Sequence, residues 1–187
     1  MRKSREEAAQ TRQRIVETAS VEFRRKGIEG AGLSEIMAAA GLTHGGFYKH
    51  FESKEQIVEE SIGLAVEGLI DEVKASEATG NEPGKVFSRY LSILHRDSPG
   101  EGCPFVALGS ELARSTPQIR ETATEGFVKL TDAMATHYAA GSSSAAKEKA
   151  LVSLSTMIGA LLMARLVTDP KLSAAILSEA KKALSSE

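Results

Sequence analysis

With 187 residues and a formal net charge of −2, the chain has room for one medium domain, or for a small head of about 50 residues and a larger body, but not for a third domain. Hydrophobic residues at 42% and charged residues at 26% match an ordinary soluble globular protein and exclude a disordered, collagen-like or mucin-like chain. One cysteine makes neither an internal disulfide nor a thiolate zinc site, so nothing calls for an oxidising compartment, a structural metal or a cofactor.

The opening MRKSREEAAQTRQR is basic with no apolar run behind it, so neither a signal peptide nor a membrane anchor is expected and the cytoplasm is the default address. A first helix is expected over 5–26, with Ile15, Ala19 and Phe23 on one stripe and Val16 beside it. Gly27 ends it. A short helix over 33–40 follows, Gly41 makes a turn, Thr43 caps a second short helix over 43–50, and Ser53 caps a long one over 54–76. Residues 1–54 hold 10 Lys+Arg against 7 Asp+Glu, and the remainder 13 against 18, so the head is basic and the body acidic. Arg2, Lys3, Arg5, Arg12, Arg14, Arg24, Arg25 and Lys26 suit a surface that meets phosphates, and equally an ordinary solvated helix face.

The segment EATGNEPG (77–84) breaks the pattern. Beyond it, helices are expected over 84–96, 104–114, 117–138, 145–167 and 172–184, with proline in the first turn of several. Nine helices and no strand pattern give an all-α fold: a three-helix head and a larger helical body. The run ALVSLSTMIGALLMARLV (150–167) is interrupted by Ser153, Ser155, Thr156 and Arg165 and falls short of a membrane span. A helix apolar on nearly every side must be covered on several faces, which points to a second subunit.

The most informative stretch is LSEIMAAAGLTHGGFYKHFESKEQI (33–57). Its two short helices joined at Gly41 and Leu42 have the arrangement of a helix-turn-helix, whose second helix enters the DNA major groove. Leu33, Ile36, Met37 and Ala40 give the first an apolar face, while Leu42, Phe47 and Phe51 pack the second against Phe23 and Ile15. On the outside, Thr43 is placed to cap the helix, and Gly45 and Gly46 remove side chains that would hold the backbone away from DNA. Two glycines cost about 1 kcal/mol each in helix propensity, an odd choice for a helix with no other task. His44, Tyr48, Lys49 and His50 add donors, and Lys54 stands in the first turn of the next helix, where an external anion would explain a cation.

On AGLTHGGFYKHFESKEQI (40–57), preceded by TRQRIVETASVEFRRKG (11–27), the sequence resembles the TetR family of bacterial transcription regulators. The resemblance implies that Thr43, Tyr48, His50 and Lys54 meet the phosphate backbone and that His44, Gly45, Gly46 and Lys49 face base edges, with Phe47 and Phe51 in the core. Two departures stand out. Gly32 sits where Ser or Thr usually opens the second helix, and Ser34 sits where a longer polar residue is common, so Ser34 is a weaker candidate contact.

The same resemblance implies a head (1–53) and a ligand-binding and dimerisation body (54–187), with 54–76 as the linker helix. Such a protein grips a palindromic operator as a homodimer and is released by a small-molecule inducer. The expected dimer interface is built from Leu151, Leu154, Ile158, Leu161 and Leu162 with Leu172, Ile176, Leu177, Ala180 and Leu184. Pocket candidates are Tyr90, Leu94, Cys103, Phe105, Leu108, Phe127, Leu130, Met134, Met157 and Leu161, each of which also fits plain core. Cys103, at a helix start, is either a small pocket-wall residue or a thiolate sensor of oxidants or electrophiles.

An enzyme finds little support. Gly80 and Gly84-Lys85 lack the spacing and hydroxyl of a phosphate loop, and Gly141-Ser142-Ser143-Ser144-Ala145 has no preceding strand for a nucleophile elbow. His44, His50, His95 and His137 show no metal-ligand spacing. A helix-turn-helix protein that binds DNA without sensing any small molecule is the remaining alternative.

Overall fold

The computed structural model describes residues 5–78, 83–138 and 143–185; Arg2, Lys3, Gly80, Gly141 and Ser142 lie outside them. Among the described residues there are nine α-helices, two 3-10 segments and no strand, so the chain is all-α. The helices are α1 (Arg5–Lys26), α2 (Leu33–Ala39), α3 (Lys54–Ala78), α4 (Pro83–Tyr90), α5 (Ile93–Asp97), α6 (Pro104–Leu112), α7 (Pro117–Ala135), α8 (Ser144–Leu166) and α9 (Pro170–Ser185). The 3-10 segments are His44–Lys49 and Pro99–Glu101.

Local chemistry explains most boundaries. Gly27, at φ +82°, ends α1, and Gly41, at φ +74°, ends α2. At Gly41 the N–H bonds the Ala38 carbonyl at 3.0 Å and the Leu42 N–H bonds that of Met37 at 2.8 Å, the paired bonds of a Schellman turn. Ser53 caps α3 through the Gln56 N–H at 3.2 Å, and Thr116 and Ser143 cap α7 and α8. Gly32 opens α2 with no capping side chain.

Two expectations need correction. The segment after Thr43 is a 3-10 turn and not an α-helix, and the Thr43 side chain caps nothing. The helix expected over 84–96 is two: α4 stops at Tyr90, and Ser92 starts α5 by accepting the His95 N–H at 3.1 Å.

In the head, α1 crosses α2 and α3 around Ile15, Ala19, Phe23, Ile36, Met37, Phe47 and Phe51, all buried. Buried serines let α1 and α3 approach: Ser20 Oγ donates to the Ser61 carbonyl at 3.0 Å and Ser61 Oγ to that of Val16 at 3.4 Å. In the body, α3 packs on α7, with Gly126 set so close to Val66 that an added Cβ would stand 3.0 Å from its Cγ1. α7 packs on α8 and α8 on α9.

Candidate nucleic-acid interface and ligand cavity

The recognition segment is built from the inside out. Phe47 is fully buried and stacks on Phe51 with ring centroids 5.3 Å apart, which fixes the short turn on the head core. Its remaining residues are thereby held outward: Thr43, His44, Gly45, Tyr48 and Lys49 are exposed, Tyr48 to 66%, while Gly46, His50 and Lys54 are half-buried. A Cβ on Gly45 would meet nothing within 4 Å, so bare backbone faces outward there; Gly46 instead rests on the Met37 methyl. The Thr43 hydroxyl, unused as a cap, is available to a phosphate. Exposed Ser34 lies 3.2 Å from His44 Nδ1 through its Oγ, a contact the sequence did not reveal.

Several cations of the basic head are engaged within the fold. The Arg12 guanidinium forks onto the Glu60 carboxylate, donates to the His50 carbonyl at 3.3 Å and lies 4.6 Å from the Phe51 centroid, tying α1, the recognition segment and α3 together. Arg24 donates to the Gly100 carbonyl at 2.8 Å. Lys26 pairs with Glu22 and Glu35, and Arg25 with Glu22. Among the described residues, Arg5, Arg14 and Lys49 are exposed cations of the head outside these pairings.

The body holds a partly open cavity of about 660 Å³. Of the pocket candidates, Tyr90, Leu94, Leu130, Met134 and Met157 line it. Cys103, Phe105, Leu108, Phe127 and Leu161 do not: Cys103, Leu108 and Leu161 are buried core, and Phe105 and Phe127 pack edge to face at 5.4 Å where α6 meets α7. Unanticipated wall comes from Leu69 and Val73 of α3, from Leu154, and from the turn carrying Ser98, Glu101 and Gly102. Leu69 and Val73, spaced i, i+4 on a helix read only as a linker, were the available signal.

His95 organises one end of this cavity. Its Nδ1–H donates to the Tyr90 carbonyl at 2.8 Å and its Nε2 accepts the Cys103 N–H at 3.0 Å, which fixes the tautomer. Burial lowers its pKa from the ordinary value, so the ring is neutral at pH 7. Gly102 lets the chain pass, since a Cβ there would stand 2.5 Å from His95 Nε2. Arg165 donates to the carbonyls of Arg96 and His95 at 2.9 and 2.7 Å. Burial pushes the Cys103 thiol up, outweighing the backbone N–H groups of Val106 and Phe105, and it raises the neighbouring Tyr90 phenol well above its ordinary value. The thiol is therefore protonated at neutral pH, opposite to the thiolate a sensor needs.

The turn at 98–102 has two sides. Ser98, Glu101 and Gly102 face the cavity, while Gly100 lies so tightly on α1 that a Cβ would stand 2.7 Å from Arg25 Cγ. A smaller cavity of about 260 Å³ between α1 and α3 shares Leu69, Glu72, Glu101 and Gly102 with the larger one. Head and body also meet where Glu111 of α6 accepts the Ile28 N–H at 2.9 Å, beside Gly27.

On α8, Ala146, Ala150, Leu154, Met157, Leu161 and Ala164 form the buried stripe, and Leu151, Val152, Leu162, Met163 and Leu166 are exposed. On α9, Leu177 and Leu184 are buried, Leu172 is exposed, and Ile176 and Ala180 are half-buried, as is Ile158 of α8. Leu154, Leu161, Leu177 and Leu184 are thus core of the single chain, because helical periodicity turns them toward α7, α8 and α4, and not toward a partner. Leu151, Leu162 and Leu172 stay free to meet one. α8 is also long and apolar enough to cross a membrane by length and composition, with mean hydropathy 1.4, yet a third of that window is buried by the chain itself. No cluster of three or more His, Cys, Asp or Glu suited to a metal occurs among the described residues.

Residues 15–61 match the model of bacterial regulatory proteins of the tetR family, and residues 85–176 match the C-terminal domain of LmrA/YxaF-like transcriptional regulators. The chain is 41% identical over 93 residues to the HTH-type transcriptional regulator AcrR of Shigella flexneri, covering 50% of this chain and 42% of that protein. It is 42% identical over 65 residues to the HTH-type transcriptional repressor BepR of Brucella suis, covering 35% and 31%. These alignments span less than half the length of either relative. A TetR transcriptional regulator from Chloroflexus aurantiacus superposes with a TM-score of 0.77 at 27% identity, over 97% of this chain and 95% of that one. Reduced NemR of E. coli shares the fold with a TM-score of 0.77 at 21% identity, over 94% and 95%. With its head and its body each matching a model of these regulators, the chain belongs to the TetR family.

Proposed function

We propose that this chain is a homodimeric repressor of the bacterial cytoplasm that holds a palindromic DNA operator with two copies of its head (1–53) and is released when a small molecule fills the cavity of its body (54–187). The observation that carries the reading is the exposed face of 43–50 held rigid from beneath by Phe47 and Phe51. Thr43, Tyr48, His50 and Lys54 serve the phosphates; His44, Gly45, Gly46 and Lys49 serve the base edges, where lysine donates to guanine N7 and O6. The exposed apolar side chains of α8 and α9 supply the dimer face, which a helix-turn-helix needs in order to read two half-sites about 34 Å apart.

Release follows from a two-state balance in which operator and inducer prefer different states, typically with a coupling of about 1–3 kcal/mol. The 98–102 turn supports this route, as one wall of the cavity and the docking site of Arg24 at once. Selection of bound sequences from random DNA, followed by competition with a compound panel, tests both ends. An enriched palindrome that at least one cavity-binding compound displaces bears the proposal out. A palindrome that no compound displaces, with no compound raising the melting temperature, favours a regulator without a small-molecule ligand; at 100 times its dissociation constant a ligand would stabilise by about 2.7 kcal/mol.

A further inference from the structure

Ser34 and His44 stand ten residues apart, one on α2 and one at the start of the recognition segment, and both are exposed. The 3.2 Å approach of Ser34 Oγ to His44 Nδ1 fixes one flank of the imidazole, and the Tyr48 ring meets it edge-on at 6.5 Å between centroids. The two ring nitrogens diverge, so anchoring Nδ1 on α2 turns Nε2 away from α2. We propose that Ser34 is a positioning residue that presents His44 as an Nε2–H donor, so that His44 reads an acceptor edge, guanine N7 or O6, in each half-site. This rests on the reading of 43–50 as the DNA-facing surface.

The chemistry of the pair supports a donor. A serine hydroxyl both gives and accepts a hydrogen bond. When the imidazole is neutral, the hydroxyl gives its proton to bare Nδ1 and the ring keeps Nε2–H. When the imidazole is protonated, the hydroxyl accepts from Nδ1–H and Nε2–H is again a donor. The remaining arrangement, Nδ1–H onto Oγ with bare Nε2, would make His44 an acceptor and direct it to cytosine N4 or adenine N6. Without Ser34 the ring is free to rotate and to exchange tautomers, and selectivity at its base pair falls while the phosphate contacts stay in place.

The experiment compares full-length wild type with Ser34→Ala, Ser34→Thr, His44→Ala, Tyr48→Ala and Lys49→Ala by selection from random DNA. A 15N spectrum of the His44 ring in the free wild-type protein accompanies it. Wild type is expected to prefer guanine at one position per half-site, with His44 protonated on Nε2 and bare on Nδ1. Ser34→Ala should reduce that preference on the order of tenfold at that position alone, and Ser34→Thr should keep it. Unchanged preferences in Ser34→Ala, or a ring with Nδ1–H and bare Nε2, would overturn the assignment. So would unchanged preferences in His44→Ala while Tyr48→Ala and Lys49→Ala lose binding. If none of these three alters binding, the DNA-facing reading itself fails.

Discussion

The Arg24 side chain, in the last turn of α1, donates to the carbonyl of Gly100 at 2.8 Å, and Gly100 belongs to the turn whose Glu101 and Gly102 wall the cavity. A ligand that displaces this turn therefore acts directly on the end of the first head helix. Arg24→Ala should leave operator affinity within about twofold but reduce the ligand's effect on it severalfold, a loss within the usual 1–3 kcal/mol of allosteric coupling, about the strength of one charged hydrogen bond. Operator titrations with and without a compound shown by melting to bind the cavity measure it; an unchanged ratio of the two affinities would remove the turn from the route.

The second tie between head and body is Glu111, whose carboxylate accepts the Ile28 N–H at 2.9 Å and the Glu29 N–H at 3.4 Å. Glu111→Ala leaves the part-buried Ile28 N–H without its acceptor and should cost about 1–2 kcal/mol, visible as a drop of several degrees in the melting temperature. Glu111→Gln retains an acceptor and should lose less. A melting temperature unchanged in both variants would show that solvent replaces the carboxylate at no cost.

Gly41 and Gly45 separate folding from binding. Gly41 holds φ +74°, so Gly41→Ala should destabilise by about 1–2 kcal/mol. Gly45 has open space where a Cβ would go, so Gly45→Ala should hold stability within about 0.5 kcal/mol. Its methyl would nonetheless keep the backbone off the DNA and weaken operator binding on the order of tenfold or more. Urea melts and operator titrations on the two variants check the contrast, and tight operator binding by Gly45→Ala contradicts it.

Leu162, 47% exposed, and Leu161, fully buried, are neighbours on different faces of α8. On the proposed homodimer, Leu162→Glu should shift the protein from dimer to monomer in sedimentation while keeping its helical spectrum, because it would place charges on the face proposed for a second copy. Leu161→Ala should instead cost about 2–5 kcal/mol of stability with its interface side chains unaltered. A dimer untouched by Leu162→Glu would place the interface elsewhere.

His95 gives the body an acid-sensitive point. Burial depresses its folded-state pKa, so between that value and the unfolded value near 6.5 the unfolded chain binds the extra proton. This contribution to stability is complete above about pH 6.5 and declines as pH falls below it. His95→Gln should show a lower stability at pH 7.5 and a flatter fall toward pH 5.5 than wild type, as followed by thermal melts. Parallel pH profiles would assign the acid sensitivity to other groups.

What the sequence disclosed depended on how far each signal reached. Gly27, Gly41, Ser53, Thr116 and Ser143 act on bonds within a few residues, and the boundaries they set were legible. The split between α4 and α5 was not: it depends on His95 turning back to hold the Tyr90 carbonyl, a tertiary choice with no composition signal. The facing of α8 was also hidden, since a helix apolar on both sides gives periodicity no phase. The structural ties of Arg12 and Arg24 were not legible, because their partners, Glu60 and Gly100, stand 48 and 76 positions away. The outward face of 43–50 was legible because Phe47 and Phe51, spaced i, i+4, declare which residues must lie outside.

The location of Gly100 also bears on how such a molecule is retuned. Contact with α1 uses its main-chain oxygen and its missing side chain, whereas Leu130, Met134, Leu154 and Met157, on other helices, supply apolar wall of the chamber. If the cavity admits the proposed inducer, exchanging those four side chains would alter which compound enters without touching the contact with α1, so new chemical inputs would be open to this scaffold through a handful of substitutions remote from its output.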